Sequence, residues 1–223
     1  MPADRRRVRA IHRRLLRHYG DLEPPRRSDP LEELILTVLS QHTSDVNAER
    51  SFQALRGRFA TWEDVAEAPS DEVAEAIRSG GLAEVKAPRI QAILRCIAER
   101  EGAFDLSALR DRPDRVVREY LTTLPGVGPK TAAVVMAFSL SRATLPVDTH
   151  VHRVSRRLGL VPPRASAERA QDLLEALAPD ELRVELHVGL IRLGREICRA
   201  PSPRCRACPL NDVCPTAPRF LHT

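Results

Sequence analysis

Among 35 lysine and arginine residues, only Lys86 and Lys130 are lysine. A chain that uses arginine almost wherever a cation suffices keeps lysine where guanidinium cannot serve, above all where a deprotonated amine must attack an electrophile. Lys130 stands in the run Leu124-Pro125-Gly126-Val127-Gly128-Pro129-Lys130-Thr131, and downstream Asp148 opens Val147-Asp148-Thr149-His150-Val151-His152. An Asp there caps a helix; beside an amine nucleophile it can also accept the amine's proton and stabilise a cationic sugar. Near the end, Cys198, Cys205, Cys208 and Cys214 follow the spacing C-x6-C-x2-C-x5-C. In a cytosolic chain that crowding reads as metal binding rather than disulfides, although zinc more often uses two Cys-x2-Cys knuckles and this chain has one. Cys96, beside Ile93, Leu94 and Ile97, reads as a small core residue.

The elements that must hold these groups follow from turn chemistry. A helix is predicted to stop near Thr123, turn through Leu124 to Gly128, and restart at Pro129, where a missing N–H costs nothing. Gly126 and Gly128 are both expected to admit positive φ and close backbone approach, with Val127 plugged into the core between the helices. Backbone amides at the start of the second helix, aided by its dipole, then form a phosphate site that is blind to base sequence. An ordinary helix connection with glycines for geometry alone would explain one glycine, but not every special position of a helix-hairpin-helix element at once. In the first turn of that helix, the dipole disfavours the ammonium form of Lys130. A phosphate clamp is the alternative role, which arginine fills equally well.

Apolar residues recur at three-to-four spacing almost throughout, without sustained strict alternation, so the fold is all-α. Leu31, Leu34, Ile35, Val38 and Leu39 make one helix face. Ile90, Ile93, Leu94 and Ile97 make another, with Pro88 near that helix's start, and a further helix runs from Ser70 to a stop at Gly80-Gly81. With 223 residues the chain can bury a sizeable core. Proline-marked joints at Leu22 to Pro30 and at Leu145-Pro146 divide it. A central helical barrel domain over 23–142 carries the hairpin, at about 114–142. Residues 1–22 plus 143–223 make a discontinuous helical domain ending in the cysteine loop, 198–214.

The net charge of +5 and pI near 9.3 suit a phosphate-bearing partner. No run of about 18 apolar residues is present, so no membrane helix is expected. The arginine-rich start lacks the apolar stretch and cleavage site of a secretory signal, which points to a cytoplasmic protein, nucleoid-associated if prokaryotic. With one Trp, two Tyr and five Phe, a stacking platform for single strands is not expected, and duplex binding with base extrusion fits better. No long heptad pattern suggests a partner helix, so a monomer is expected.

In the order LPGVGPKTAAVV, VDTHVHRV and four cysteines, the chain resembles the endonuclease III family of helix-hairpin-helix DNA glycosylases along nearly its whole length. The resemblance implies two helical domains with the DNA site in the cleft between them. It matches Lys130 to the Schiff-base lysine, Asp148 to the catalytic aspartate and His150 to a histidine near the active site. It also implies a 4Fe-4S cluster on Cys198, Cys205, Cys208 and Cys214. Structural and DNA-binding service, through Arg199, Arg204 and Arg206, is the simpler role for that metal. Gln41 and His42 resemble the loop that fills the hole left by an extruded nucleotide, and Leu82 resembles the apolar wedge. Gly126, Val127 and Gly128 complete the expected DNA contacts. Two positions depart from the pattern: His42 stands where the best-known members carry Gln, and Ala83 where an aromatic residue is often seen.

The implied activity is base excision from duplex DNA carrying a damaged base or abasic site: a bifunctional glycosylase and abasic-site lyase acting on oxidised pyrimidines. The alternatives are a mismatch glycosylase removing thymine or uracil opposite guanine, encouraged by His42 and Ala83, and a catalytically inactive DNA-binding iron-sulfur module. A zinc-stabilised repair scaffold is a third. The adenine glycosylase branch fits less well, because it typically lacks the lysine and carries an extra C-terminal domain.

Overall fold

The computed structural model describes residues 2–23 and 29–221, and every regular element among them is helical. The first helix is α1 (Pro2–Tyr19). After it come α2 (Pro30–Leu39), α3 (Asp45–Arg58), α4 (Trp62–Glu67), α5 (Ser70–Ala76), α6 (Ala83–Glu101), α7 (Asp114–Thr122) and α8 (Pro129–Phe138). The remainder are α9 (Thr149–Arg157), α10 (Ala167–Leu177), α11 (Arg183–Glu196) and α12 (Pro218–Leu221), with short 3-10 turns between several of them. No helix among the described residues is long and apolar enough to cross a membrane. The chain divides into two compact units, one built from residues 1–25 with 143–223 and one from 26–142. The predicted joint from Leu22 to Pro30 lies in large part outside the described residues, at 24–28.

In the unit of residues 26–142, α2 starts where Asp29 accepts from the Leu31 amide at 2.8 Å, with Pro30 in the first turn. Its apolar residues Leu31, Leu34, Ile35, Val38 and Leu39 are all buried and pack on α8. Burial of each such side chain is worth roughly 1.5–3 kcal/mol. Helix α6 packs across α4 and α5 with Ile90, Ile93, Leu94 and Ile97 in the same core, while Cys96 lies partly buried against it. This helix begins five residues before Pro88, not at it. The Leu82 carbonyl accepts from the amides of Val85 and Lys86 and opens the first turn directly behind Gly81 and Leu82. The helix predicted from Ser70 to Gly80 also ends early: α5 stops at Ala76 and a 3-10 turn, Arg78–Gly80, finishes the segment.

In the other unit, Val8, Ile11 and Leu15 of α1 join Leu186, Leu190 and Leu193 of α11 and Val151 and Val154 of α9 in one core. Gly189 lets α1 approach α11, since a Cβ there would lie 3.0 Å from Leu15 Cδ1. Gly194 does the same for α9, where a Cβ would meet His150 Cβ at 2.8 Å. These close approaches seat the start of α9, and with it Asp148, against α11.

Candidate nucleic-acid interface and active site

Between α7 and α8 the chain turns through Leu124, Pro125, Gly126, Val127 and Gly128. Leu124 and Val127 are buried, and the Val127 amide donates to the Leu124 carbonyl at 3.1 Å, so the loop is pinned from inside. Gly126 has φ +71°, and a Cβ on it would fall 2.5 Å from Cδ and Nε of Arg89. Gly128 departs from expectation: its φ is −96° in extended backbone, and a Cβ there would meet nothing within 4 Å. Neither backbone conformation nor local packing therefore requires glycine at 128. It is the N-cap of α8 and has no side chain to cap the first turn, where Pro129 and half-buried Lys130 follow. A helix start of this kind offers its positive dipole end to an anion.

Two loops flank this hairpin in the same unit. One follows α2 and carries Gln41 and exposed His42, whose φ of +56° is left-handed. Gln41 is held at both ends of its amide: Nε2 donates to the Gly126 carbonyl and to Thr131 Oγ1, both at 3.5 Å, while Oε1 accepts from Arg89 at 3.1 Å. The second loop runs through Gly81 and Leu82, both left-handed at φ +68° and +53°, and leaves Leu82 55% exposed. Left-handed backbone at an exposed leucine costs energy that the surroundings must supply, and such strain concentrates at functional positions. Lys86 is 2% exposed, and its Nζ donates to the carbonyls of Leu39 and Gly80 at 2.7 and 3.0 Å. Burial pushes its ammonium below the usual lysine range. As a buried cation closing helix ends, it is not placed as a nucleophile.

Asp148 is the N-cap of α9, half-buried, with Oδ1 accepting from the Val151 amide at 2.7 Å. The capping role expected of it is thus present. The segment before it is fixed on both sides. Leu145 donates its amide to Glu175 at 3.1 Å, and the Pro146 carbonyl accepts from the buried His187 Nδ1 at 2.7 Å. One turn on, Arg153 donates to the Gly194 and Cys198 carbonyls at 2.8 and 3.0 Å and to His150 Nδ1 at 3.1 Å. A guanidinium can only donate, so His150 Nδ1 is the acceptor of that bond. Arg89, Arg153 and His187 escaped the sequence reading. Each acts on groups remote in the chain; Arg89 and Arg153 stand one helical turn after Lys86 and His150, whereas His187 carries no such local signal.

The four cysteines line one recess with Arg157 and Phe220, about 400 Å³ including the part open to solvent. Among the described residues no three of their thiols converge tightly enough for a single ion. Burial and the neighbouring sulfurs Cys198, Cys214 and Cys205 push the Cys208 thiol up to about 11, a crowding of potential anions that a cationic centre would relieve. Arg157 donates to Cys198 Sγ at 3.3 Å and to the carbonyls of Arg199 and Ala200 at 2.7 and 2.9 Å. The loop is thereby tied to α9. Arg199, Arg204 and Arg206 are all exposed.

Comparison with known proteins places this geometry. The model of the HhH-GPD superfamily of base excision DNA repair proteins matches residues 35–180. Endonuclease III of Thermotoga maritima is 36% identical over 187 residues, covering 84% of this chain and 83% of that protein. Endonuclease III of Bacillus subtilis is likewise 36% identical over 187 residues, 84% of this chain and 81% of its own. Among solved structures, a trapped covalent intermediate of endonuclease III with DNA, an estranged-adenine complex, superposes with a TM-score of 0.86 at 30% identity. That match covers 97% of this chain and 98% of the other. From its helices to its hairpin, this chain belongs to the HhH-GPD superfamily and, within it, to the endonuclease III family.

Proposed function

We propose that the chain is a bifunctional DNA glycosylase and abasic-site lyase that removes oxidised pyrimidines from duplex DNA. The observation that carries this reading is Lys130. Of two lysines in the chain, one is buried against carbonyls and the other sits half-buried in the first turn behind the uncapped hairpin. In the cycle, basic side chains and hairpin amides bind the duplex backbone. Leu82 enters the stack, Gln41 and His42 fill the hole, and the damaged nucleotide rotates out. The unprotonated Lys130 amine attacks the sugar C1' carbon, and the C1'–base bond breaks with its electron pair leaving on the base. Asp148 stabilises the cationic sugar and accepts the amine's proton. Ring opening leaves a Schiff base, and loss of a C2' proton expels the 3' phosphate by β-elimination.

Cys198, Cys205, Cys208 and Cys214 would hold a 4Fe-4S cluster: all four line one recess, and binding there would turn their crowded neutral thiols into thiolates. Bound there, it supplies the fold of the C-terminal loop and so presents Arg199, Arg204 and Arg206 to phosphates. A colourless protein holding zinc and no iron would exclude it.

The test is borohydride trapping on duplexes carrying thymine glycol, uracil opposite guanine, or an abasic site, with Lys130→Ala and Lys130→Arg alongside. Trapping that depends on Lys130 and ranks thymine glycol first is the expected result. Preference for uracil opposite guanine would reassign the chain to mismatch repair, for which the changes at His42 and Ala83 provide the structural reason. Retained cleavage by Lys130→Arg would rule out the Schiff base, and tight binding without any trapped product would leave a binding module.

A further inference from the structure

Lys86 joins two segments that are far apart in sequence. Its Nζ donates to the Leu39 carbonyl at the end of α2 and to the Gly80 carbonyl at the end of a 3-10 turn. Its own amide donates to the Leu82 carbonyl at 2.9 Å. Carbonyls at helix ends carry negative partial charge, so a compact ammonium between two of them is a cap for both. This accounts for its burial, and a compact ammonium suits two converging carbonyls better than the planar fork of a guanidinium in a chain that otherwise prefers arginine. Three residues beyond the first held carbonyl and two beyond the second lie the left-handed residues His42 and Leu82.

We infer that Lys86 is a positioning residue that locks the Gln41-His42 loop and the Leu82 wedge at one separation, so that hole-filling and wedging occur as a single event. The inference rests on the glycosylase reading, in which both loops enter the duplex. Buried between those loops, Lys86 acts through their backbones. Loss of the link frees each loop to adopt its own orientation, and small misplacements of this kind are costly in rate. The burden falls on extrusion of a paired base and not on chemistry at an abasic site, where no base has to be unpaired.

The decisive quantity is the rate of base removal from a paired lesion divided by the rate of cleavage at a preformed abasic site. A general loss of folded protein lowers both rates and leaves the ratio alone. Lys86→Met should lower that ratio about tenfold or more, as should Leu82→Ala. The double variant should be no lower than Leu82→Ala alone, because the two act in one event. A ratio unchanged in Lys86→Met with a lower melting temperature, or effects that multiply in the double variant, would overturn the inference and leave Lys86 a structural cap. Should Lys86→Met fail to fold, Lys86→Gln, which keeps a neutral donor, is read by the same ratio. Failure of the wild-type chain to cut the abasic duplex would instead overturn the bifunctional glycosylase and lyase reading on which the ratio depends. A wild-type chain that cuts, with Leu82→Ala matching its ratio, would remove the wedge and this proposal together.

Discussion

The buried His187 imidazole donates through Nδ1 to the Pro146 carbonyl, 2.7 Å away and two residues before Asp148. A carbonyl can only accept, so Nδ1 carries the proton whatever the state of Nε2. The contact ties α11 to the strand of chain that delivers Asp148 to its capping position.

His187→Ala should therefore cost both stability and rate. Leaving the buried Pro146 carbonyl without this donor costs roughly 1–3 kcal/mol. Single-turnover cleavage of an abasic duplex should fall about tenfold from misplacement of Asp148, with little change in duplex affinity. Denaturant melts and single-turnover kinetics check both, and His187→Asn, which offers an amide donor near the same place, should recover part. Full cleavage by a destabilised Ala variant would confine His187 to the fold.

The two hairpin glycines should separate cleanly. Gly126→Ala places a Cβ against Arg89 and forces a left-handed alanine, a backbone cost of roughly 1–2 kcal/mol. Gly128→Ala keeps an allowed extended backbone and costs no more than about 1 kcal/mol, the penalty of alanine at an N-cap, yet should lose duplex affinity because its methyl group adds bulk at the helix start proposed to receive a phosphate. Thermal melts paired with salt-dependent duplex titrations distinguish them. A Gly128→Ala chain with undiminished affinity would mean that phosphate does not approach there.

Both tyrosines report on packing. Tyr19 is pushed up to about 12 by burial, with Glu196 and Cys208 adding to the shift and Arg192 opposing it. Tyr120 rises to about 12 through burial and the Glu101 carboxylate. Raised folded-state values mean that the stability they represent is complete below pH 10 and is lost as pH rises from 10 to about 12. Difference absorbance should show no tyrosinate at pH 10 in the folded chain, with ionisation accompanying unfolding near pH 12. Half-ionisation near pH 10 with the fold intact would contradict this packing around both rings.

Much was determined by the residue order alone. Three-to-four periodicity made the fold helical, because side chains at that spacing share one helix face. The run from Leu124 to Lys130 specified a hairpin and a lysine behind it, because glycine, proline and helix-start preferences act over a few neighbouring residues. Asp148 announced itself as an N-cap for the same local reason. Tertiary structure alone decided that Gly128 is extended while Gly126 is left-handed, since Arg89 and Gln41, distant in sequence, close over Gly126. It also decided that of two equally conspicuous lysines one is buried between helix ends, while the other stands at a helix start. Burial and the carbonyls that accept from Lys86 come from segments 6 and 47 residues away, and no local pattern encodes a bond of that range.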